Sequence, residues 1–322
     1  MKKYILGFDL GGTKMIAALL DDKFNVIEKK KTKTPAQEGP DAVLEAIVAT
    51  IQSVIEGSGI QADEIEGIGI AVPGTIDREK GRVIYTPNLG FENVAISDYV
   101  KKHTGIRVVL ENDVNAGAYG EWTMGAAKGY RHVIALFPGT GLGGALILNG
   151  ALYRGAAGNA GEIGHMIIQT DGPMCGCGQL GCLEALASRS ALSRDALLAA
   201  ASGKAPETYR EFGTDLKNYK SKTFSNALKR KEKPIIEIID KGAHYLGIGM
   251  ANCVNIFNPE LILIGGGLVE KLGSSYLKKA EASMRAHAMA SMVKGVEVKA
   301  AKLGDDAVFV GAAAVLKDEA SA

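Results

Sequence analysis

Three sets of residues in this chain have types and spacing that chemistry could use. The first is a pair of glycine turns, Asp9-Leu10-Gly11-Gly12-Thr13-Lys14 and Gly139-Thr140-Gly141-Leu142-Gly143-Gly144, each set between apolar runs. Successive backbone N–H groups in such a turn can converge on a phosphate, and absent side chains permit close approach. The first turn is not a P-loop, because G-x-x-x-x-G-K-[ST] is missing and a strand pattern follows Lys14. The second matches G-x-G-x-x-G through Gly139, Gly141 and Gly144, but a dinucleotide site needs a helix next. Ala145–Leu148 followed by Asn149-Gly150 reads as a short strand and a turn. A single such turn reads as a tight hairpin with no ligand. Two of them, with Gly265-Gly266-Gly267 closing a further buried strand, point to a nucleotide whose phosphates are held from two sides.

The second set is Asn112-Asp113, at the end of the apolar run Val108–Glu111 and the start of a helical stretch. Either residue makes a good N-cap. A phosphoryl transfer to a hydroxyl also needs a carboxylate that takes the proton as the oxygen attacks. Both needs are met if Asn112 caps while Asp113 faces substrate. The third set is His165, Cys175, Cys177 and Cys182. Three thiolates and an imidazole suit tetrahedral Zn²⁺. The spacing C-x-C-x4-C is not the common knuckle, but Gly176, Gly178 and Gly181 allow tight ligand loops. The bland alternative is three unpaired thiols and a strand histidine. With no obvious open coordination position, such a zinc would be structural. The second nitrogen of a ligating histidine makes a hydrogen bond, so His165, with Glu162 and Glu184 close by in sequence, could meet substrate hydroxyls. Cys253 lies in an apolar helical run and reads as packing.

The elements that must position these groups follow from periodicity. Tyr4–Asp9, Met15–Asp21 and Val26–Thr34 read as a three-strand meander, and Val133–Phe137, Ala145–Leu148 and Ala151–Tyr153 as a second. The order strand, glycine turn, strand, strand and later helix recurs, a weak internal duplication. Residues 41–56 read as a helix with Asp41 as N-cap, ended by Gly57 and Gly59. Ile65–Val72 is a strand stopped by Pro73-Gly74, and a short hairpin-like stretch leads to Asn88. Helices are expected over Ile96–Thr104, Val114–Met124, residues 183–202, Pro234–Val254, Tyr276–Ala288 and Ala307–Leu316. Strands are expected at Leu261–Ile264 and Val296–Ala300. Residues 203–233 are polar and lysine-rich, read as short surface helices.

Size and composition bound the answer. A chain of 322 residues has room for two domains, each with its own core. The 41 glycines cluster in short turns, so this is not low complexity. A net charge of +1 offers no global field to recruit nucleic acid or a membrane surface. The basic run Lys29–Lys33 is most simply a solvated strand edge. A strand pattern from Tyr4, no apolar run of spanning length and no disulfide-like cysteine framework point to a cytoplasmic protein.

Taken together these pieces resemble the ROK family of sugar kinases and repressors. The resemblance rests on Asp9–Lys14, Val72-Pro73-Gly74-Thr75, Glu111-Asn112-Asp113, Gly139–Gly144, Gly161–His165, Cys175–Glu184 and Leu263–Gly267, and so extends over nearly the whole chain. It implies an α/β, actin-like ATPase (ribonuclease H-like) fold in two lobes, with a duplicated βββαβα core and a cleft between lobes. The expected lobes are residues 1–113 with a C-terminal helix at 306–320, and residues 114–305. Asp113 would be the general base. Gly74, Asn88, Asn112, Asp113, Glu162, His165 and Glu184 would bind sugar hydroxyls. ATP would meet Asp9, Gly11, Gly12, Thr13, Lys14, Gly139, Thr140, Gly141, Gly143, Gly265, Gly266 and Gly267, with Asp9 orienting Mg²⁺ through water. His165, Cys175, Cys177 and Cys182 would hold structural zinc. One departure is Ala145, where many members have a third glycine; a methyl group should be tolerated on a strand.

The expected activity is ATP- and Mg²⁺-dependent phosphorylation of a hexose at its C6 hydroxyl, with glucose the first candidate. N-acetylglucosamine, N-acetylmannosamine or fructose would serve the same chemistry, and polyphosphate could replace ATP. The rival of another class is a catalytically silent sugar sensor. Repressors of the family carry a helix-turn-helix before the first phosphate strand, where this sequence has only Met1-Lys2-Lys3. The family also implies a homodimer, with a tetramer as the alternative.

Overall fold

The computed structural model describes residues 3–86 and 88–321; Met1, Lys2, Pro87 and Ala322 lie outside the described residues. In chain order, β1 (Tyr4–Leu10), β2 (Lys14–Leu20) and β3 (Val26–Lys33) precede α1 (Pro40–Ser58). Next come β4 (Ile65–Val72), β5 (Thr75–Asp77), β6 (Arg82–Thr86), β7 (Phe91–Val94), α2 (Ile96–Thr104), β8 (Val108–Asn112) and α3 (Asp113–Met124). The second meander is β9 (Val133–Pro138), β10 (Leu142–Leu148) and β11 (Ala151–Leu152). Helices α4 (Leu183–Ala187), α5 (Arg189–Ala201), α6 (Pro206–Phe212), α7 (Ser221–Arg230) and α8 (Lys233–Phe257) follow. The chain closes through β12 (Leu261–Ile264), α9 (Gly267–His287), α10 (Ala290–Val293), β13 (Glu297–Ala300) and α11 (Ala307–Ser321).

Among the described residues the main sheets have the orders β3-β2-β1-β4-β8 and β11-β10-β9-β12-β13, with a small sheet β5-β6-β7. The matching orders turn the weak duplication of the sequence into an architectural one. Contacts divide the chain into two compact units. One comprises residues 1–129, 152–160 and 302–322, and the other residues 130–151 and 161–301. This differs from the expected boundary at 113, because α3 packs closely along α11 within the first unit.

In the first unit the strand period sorts side chains to two faces. Leu6, Phe8 and Leu10 of β1 join Val43, Ile47 and Ile51 of α1 in the core, while the intervening Gly7 faces α11, where a Cβ would lie 2.0 Å from the Phe309 carbonyl oxygen. Gly311 on α11 is as constrained: a Cβ would meet the Ala116 carbonyl oxygen at 1.7 Å. The lysine run lies on β3, the sheet edge, as expected. In the second unit, Leu246, Met250 and Val254 of α8 are buried, and the helix packs against α4 and α9. No helix among the described residues is long and apolar enough to cross a membrane.

Several boundaries move for physical reasons. Helix α1 starts at Pro40 with Gly39 as N-cap, so Asp41 does not cap it; proline at the first helical position outranks the aspartate. Gly59 ends α1 in the left-handed conformation, whereas Gly57 lies inside it. The single helix expected over 183–202 is two, because extended Ser188 breaks it and caps α5. Helix α9 begins at Gly267, well before Tyr276, with a kink at Gly273 (φ 71°) that hid the first turns from the periodicity.

Candidate active site

Parallel pairing brings the expected groups of the first unit to one sheet edge. Asp9 lies opposite Ala71, Ala71 opposite Glu111, and Val72 opposite Asn112. The first glycine turn, Gly74 and Asn112-Asp113 therefore emerge at the C-terminal ends of β1, β4 and β8, where open α/β sheets place ligands. The turn is tight: Gly11 N–H donates to the Lys14 carbonyl at 3.0 Å and Thr34 N–H to the Thr13 carbonyl at 3.0 Å. The Thr34 hydroxyl donates to the Gly11 carbonyl at 2.6 Å. Gly12 faces Asn88, with room for a Cβ only 3.3 Å from the Asn88 Cβ. The Lys14 ammonium sits 2.6 Å from Asp305, which Lys31 also approaches at 3.4 Å.

Asn112 is the cap: its Oδ1 accepts from the N–H groups of Val114 at 2.9 Å and Asn115 at 3.2 Å. Its Nδ2 donates to the Gly74 carbonyl at 3.2 Å. Asn112 is thus engaged at both ends within the protein. Asp113 accepts from the Val114 N–H at 3.0 Å. The pKa of Asp9 is pushed up to about 7, first by burial and then by the charges of Asp113 and, more weakly, Asp305, with Lys14 pulling the other way. The edge is short of positive charge at Asp9, which a divalent cation would supply.

The second unit repeats the layout. Leu136 of β9 lies opposite Ile264 of the parallel β12, so Gly139–Gly141 and Gly265–Gly267 leave the sheet at one edge. Gly266 has φ 90°, and a Cβ there would lie 2.9 Å from the Pro138 carbonyl oxygen, so the strand end needs glycine. Gly139 N–H donates to the Gly141 carbonyl at 2.9 Å. Gly143 is inside β10 opposite Phe137, and Ala145 is a fully buried strand residue that the sheet accommodates. The start of α5 presses against this turn. Arg189 N–H donates to the Gly139 carbonyl at 2.9 Å and Ser190 N–H to the Thr140 carbonyl at 3.3 Å. The Arg189 guanidinium donates to the Thr140 hydroxyl. Glu184 accepts from Leu142 N–H at 2.8 Å with one oxygen, while the other lies 3.6 Å from Cys175 Sγ.

His165, Cys175, Cys177 and Cys182 come together, their ligand atoms all within 4.8 Å of one another. Cys177 Sγ and Cys182 Sγ are 3.7 Å apart, and Cys175 Sγ is 3.7 Å from His165 Nδ1. A tetrahedron built on a Zn–S bond of about 2.3 Å has edges of about 3.8 Å, so this donor set fits the ion. Burial pushes the Cys175 thiol up to about 12 and raises Cys182, while the Gln179 N–H lowers Cys177. His165 Nε2 is 3.8 Å from Glu162, which is well exposed. Cys253 is buried in α8, its thiol pushed up to about 12 by desolvation, in keeping with packing.

Thr34, Asp305 and Arg189 reach the two turns although no motif singles them out as site residues. Arg189 had one signal, the Ser188 cap that ends α4. Thr34 and Asp305 had none, since strand pairing and the approach of the C-terminal helix bring them in.

Two sheets of matching order, each ending in a glycine turn beside charged or helix-start groups, define an α/β protein of the actin-like ATPase fold. The chain belongs to the ROK family, whose model matches residues 5–319. It is 35% identical over 318 residues to the glucokinase of Thermotoga maritima, with 98% of each chain covered. A ROK family glucokinase from Streptomyces griseus, solved in complex with glucose and AMPPNP, superposes with a TM-score of 0.81 at 32% identity, covering 98% of this chain and 99% of that one. A putative xylose repressor of Caldicellulosiruptor is 32% identical over 97% of this chain and 77% of its own length.

Proposed function

We propose that the protein is an ATP-dependent hexokinase acting on glucose, yielding glucose 6-phosphate and ADP. The observation that carries this reading is the sheet edge of the first unit. There a carboxylate follows a strand whose helix is already capped by Asn112, close enough to Asp9 for its charge to shift that residue. The likeness to glucokinases over the full chain supports the choice of sugar.

Asp113 accepts the proton of the C6 hydroxyl as that oxygen bonds to the γ-phosphorus. The bond from phosphorus to the β,γ-bridging oxygen breaks, and ADP leaves with its electron pair. Asp9 would hold Mg²⁺ through water, and the cation would supply positive charge to offset that developing on the phosphates. Gly12 and Thr13 would present N–H groups and Lys14 an ammonium to phosphate, as Thr140 and Gly141 would present N–H groups, while Gly11 and Gly139, whose N–H groups close the two turns, would let the phosphate approach the backbone. Gly265–Gly267 would flank the nucleoside. Gly143, lying within a strand, contributes turn geometry. Gly74, Asn88, Glu162 and His165 would bind sugar hydroxyls. Glu184 and Asn112 would act with atoms already bonded to the protein, fixing the groups around them. His165, Cys175, Cys177 and Cys182 would hold a structural zinc that keeps the His165 ring in place. We place the enzyme in the cytoplasm, as a homodimer.

A sugar-sensing role is the second reading, favoured by the likeness to xylose repressors. Purified protein with ATP, Mg²⁺ and a panel of glucose, mannose, fructose, N-acetylglucosamine and N-acetylmannosamine separates the two. Glucose should give the highest kcat/KM; binding of a sugar with no ADP release from any would overturn the enzyme, and a preferred N-acetylhexosamine would overturn the glucose assignment. Replacing ATP by polyphosphate in the same assay tests the donor.

A further inference from the structure

We propose that Glu111 is a positioning residue, whose two oxygens tie the Asn112-Asp113 helix start to the Arg154 segment that leads into Glu162 and His165. This rests on the sugar site proposed above. Glu111 is 2% exposed at the end of β8, and a carboxylate so placed needs full pairing. Its pairing is divided by atom. Oε1 accepts from the Asn112 N–H at 3.0 Å and from Asn115 Nδ2 at 3.1 Å, fastening the start of α3. Oε2 accepts from Arg154 Nε at 2.8 Å, with a second Arg154 nitrogen also at 2.8 Å and Arg78 Nε at 3.4 Å.

Arg154 belongs to residues 152–160, which pack in the first unit before the chain re-enters the second at Gly161. Further hydrogen bonds there run within the segment: Ala160 N–H to the Arg154 carbonyl at 2.9 Å and Asn159 Nδ2 to the Ala157 carbonyl at 3.0 Å. A cavity of about 480 Å³ lies against Arg154–Asn159, Arg78 and Glu111. The cavity leaves that side of the segment open, and the ion pair between buried Glu111 and half-buried Arg154 anchors it. Arg78 Nε is buried without a hydrogen bond, which leaves Arg154 as the close partner of Oε2. One carboxylate thereby sets the base on one side and the approach to the sugar-hydroxyl residues on the other.

Glu111→Gln isolates the second function. The amide oxygen can still accept at the Oε1 position, while its NH₂ group would face two guanidinium groups. Calorimetric Kd for glucose and steady-state constants are measured for wild type, Glu111→Gln, Arg154→Met, the double variant and Arg154→Lys. Each single change should raise glucose Kd and KM about tenfold with ATP KM within about twofold. The double variant should be no more than about threefold worse than either single, because both break one interaction. Arg154→Lys should recover part of the loss. Unchanged glucose Kd in folded variants, multiplied losses in the double variant or an equal rise in ATP KM would overturn the proposal. If Glu111→Gln does not fold, Arg154→Met and Arg154→Lys carry the same readout. A wild type that binds a hexose without turning it over refutes the kinase reading, but the Kd series on that hexose still decides this one; a wild type that binds no hexose overturns both.

Discussion

The two glycine turns occupy equivalent places in sheets of the same order, yet their surroundings differ in sign. The first stands among acids: Asp9 on its own strand, Asp113 across the sheet edge, and Asp305 holding Lys14. The second has the start of α5 against it, with the Arg189 N–H and guanidinium on its carbonyl and hydroxyl oxygens. An acid beside it, Glu184, is tied to the Leu142 N–H. Under the proposed function, a duplicated frame would thus offer two kinds of phosphate contact. An acidic edge suits a metal and a proton acceptor, and a basic one suits the anion directly. Under the proposed reaction, the first turn is where charge is moved and the second where it is held.

The sharpest way to break that division is at Asp113. Asp113→Asn keeps an oxygen for the Val114 N–H, so the helix start survives. Turnover should fall by about 10²–10⁴-fold while glucose Kd stays within about threefold. Near-normal kcat in a stopped assay of glucose 6-phosphate would deny Asp113 the role of base.

Next in size is Asp9. Asp9→Asn should lower Mg²⁺-dependent turnover about 100-fold. It should also stabilise the metal-free protein at alkaline pH. The folded-state pKa is raised from 3.8 to about 7, so the folded form prefers the protonated acid. That preference contributes stability in full below the unfolded value, and the contribution is lost as pH rises through the folded one. Urea unfolding in chelator at pH 5 and pH 8 should show a wild-type loss on the order of 2–4 kcal/mol that the Asp9→Asn variant lacks. Equal pH dependence in the two proteins would deny Asp9 its strained charge.

The Cys/His cluster tests the second unit. Cys177→Ala should lose zinc and raise glucose KM about tenfold through His165. Because Glu184 lies between Cys175 and the Leu142 N–H, ATP KM should rise too, by about threefold. Zinc retained at full stoichiometry would discard the ligand set; an unchanged ATP KM would uncouple the cluster from the second turn.

What was legible in the sequence was local. Both meanders, the glycine turns, the Asn112 cap and the Cys/His set each fall within a few dozen residues, where period and spacing speak directly. The illegible parts are pairings across the chain. Lys14 and Asp305 are 291 residues apart, and nothing in either neighbourhood announces the other. Glu111 was visible as a polar residue ending a buried strand, but its two-sided pairing needs Arg154 brought in by the fold. The helix errors have a similar root: Ser188 and Gly273 interrupt apolar periodicity that tertiary packing then carries across or cuts.

The smallest expected effect belongs to Arg189, and it bears most directly on the contrast between the turns. Its N–H bond to the Gly139 carbonyl survives any non-proline substitution, so Arg189→Met removes only the guanidinium from Thr140. An exposed charge near phosphate contributes about 1 kcal/mol, which corresponds to roughly a fivefold rise in ATP KM. The loss should shrink at high salt, because exposed charges are screened. Glucose KM should not move. If Arg189→Met leaves ATP KM unchanged at low salt, the second turn holds phosphate through its backbone alone. The difference in sign between the two turns would then lie in the acids of the first.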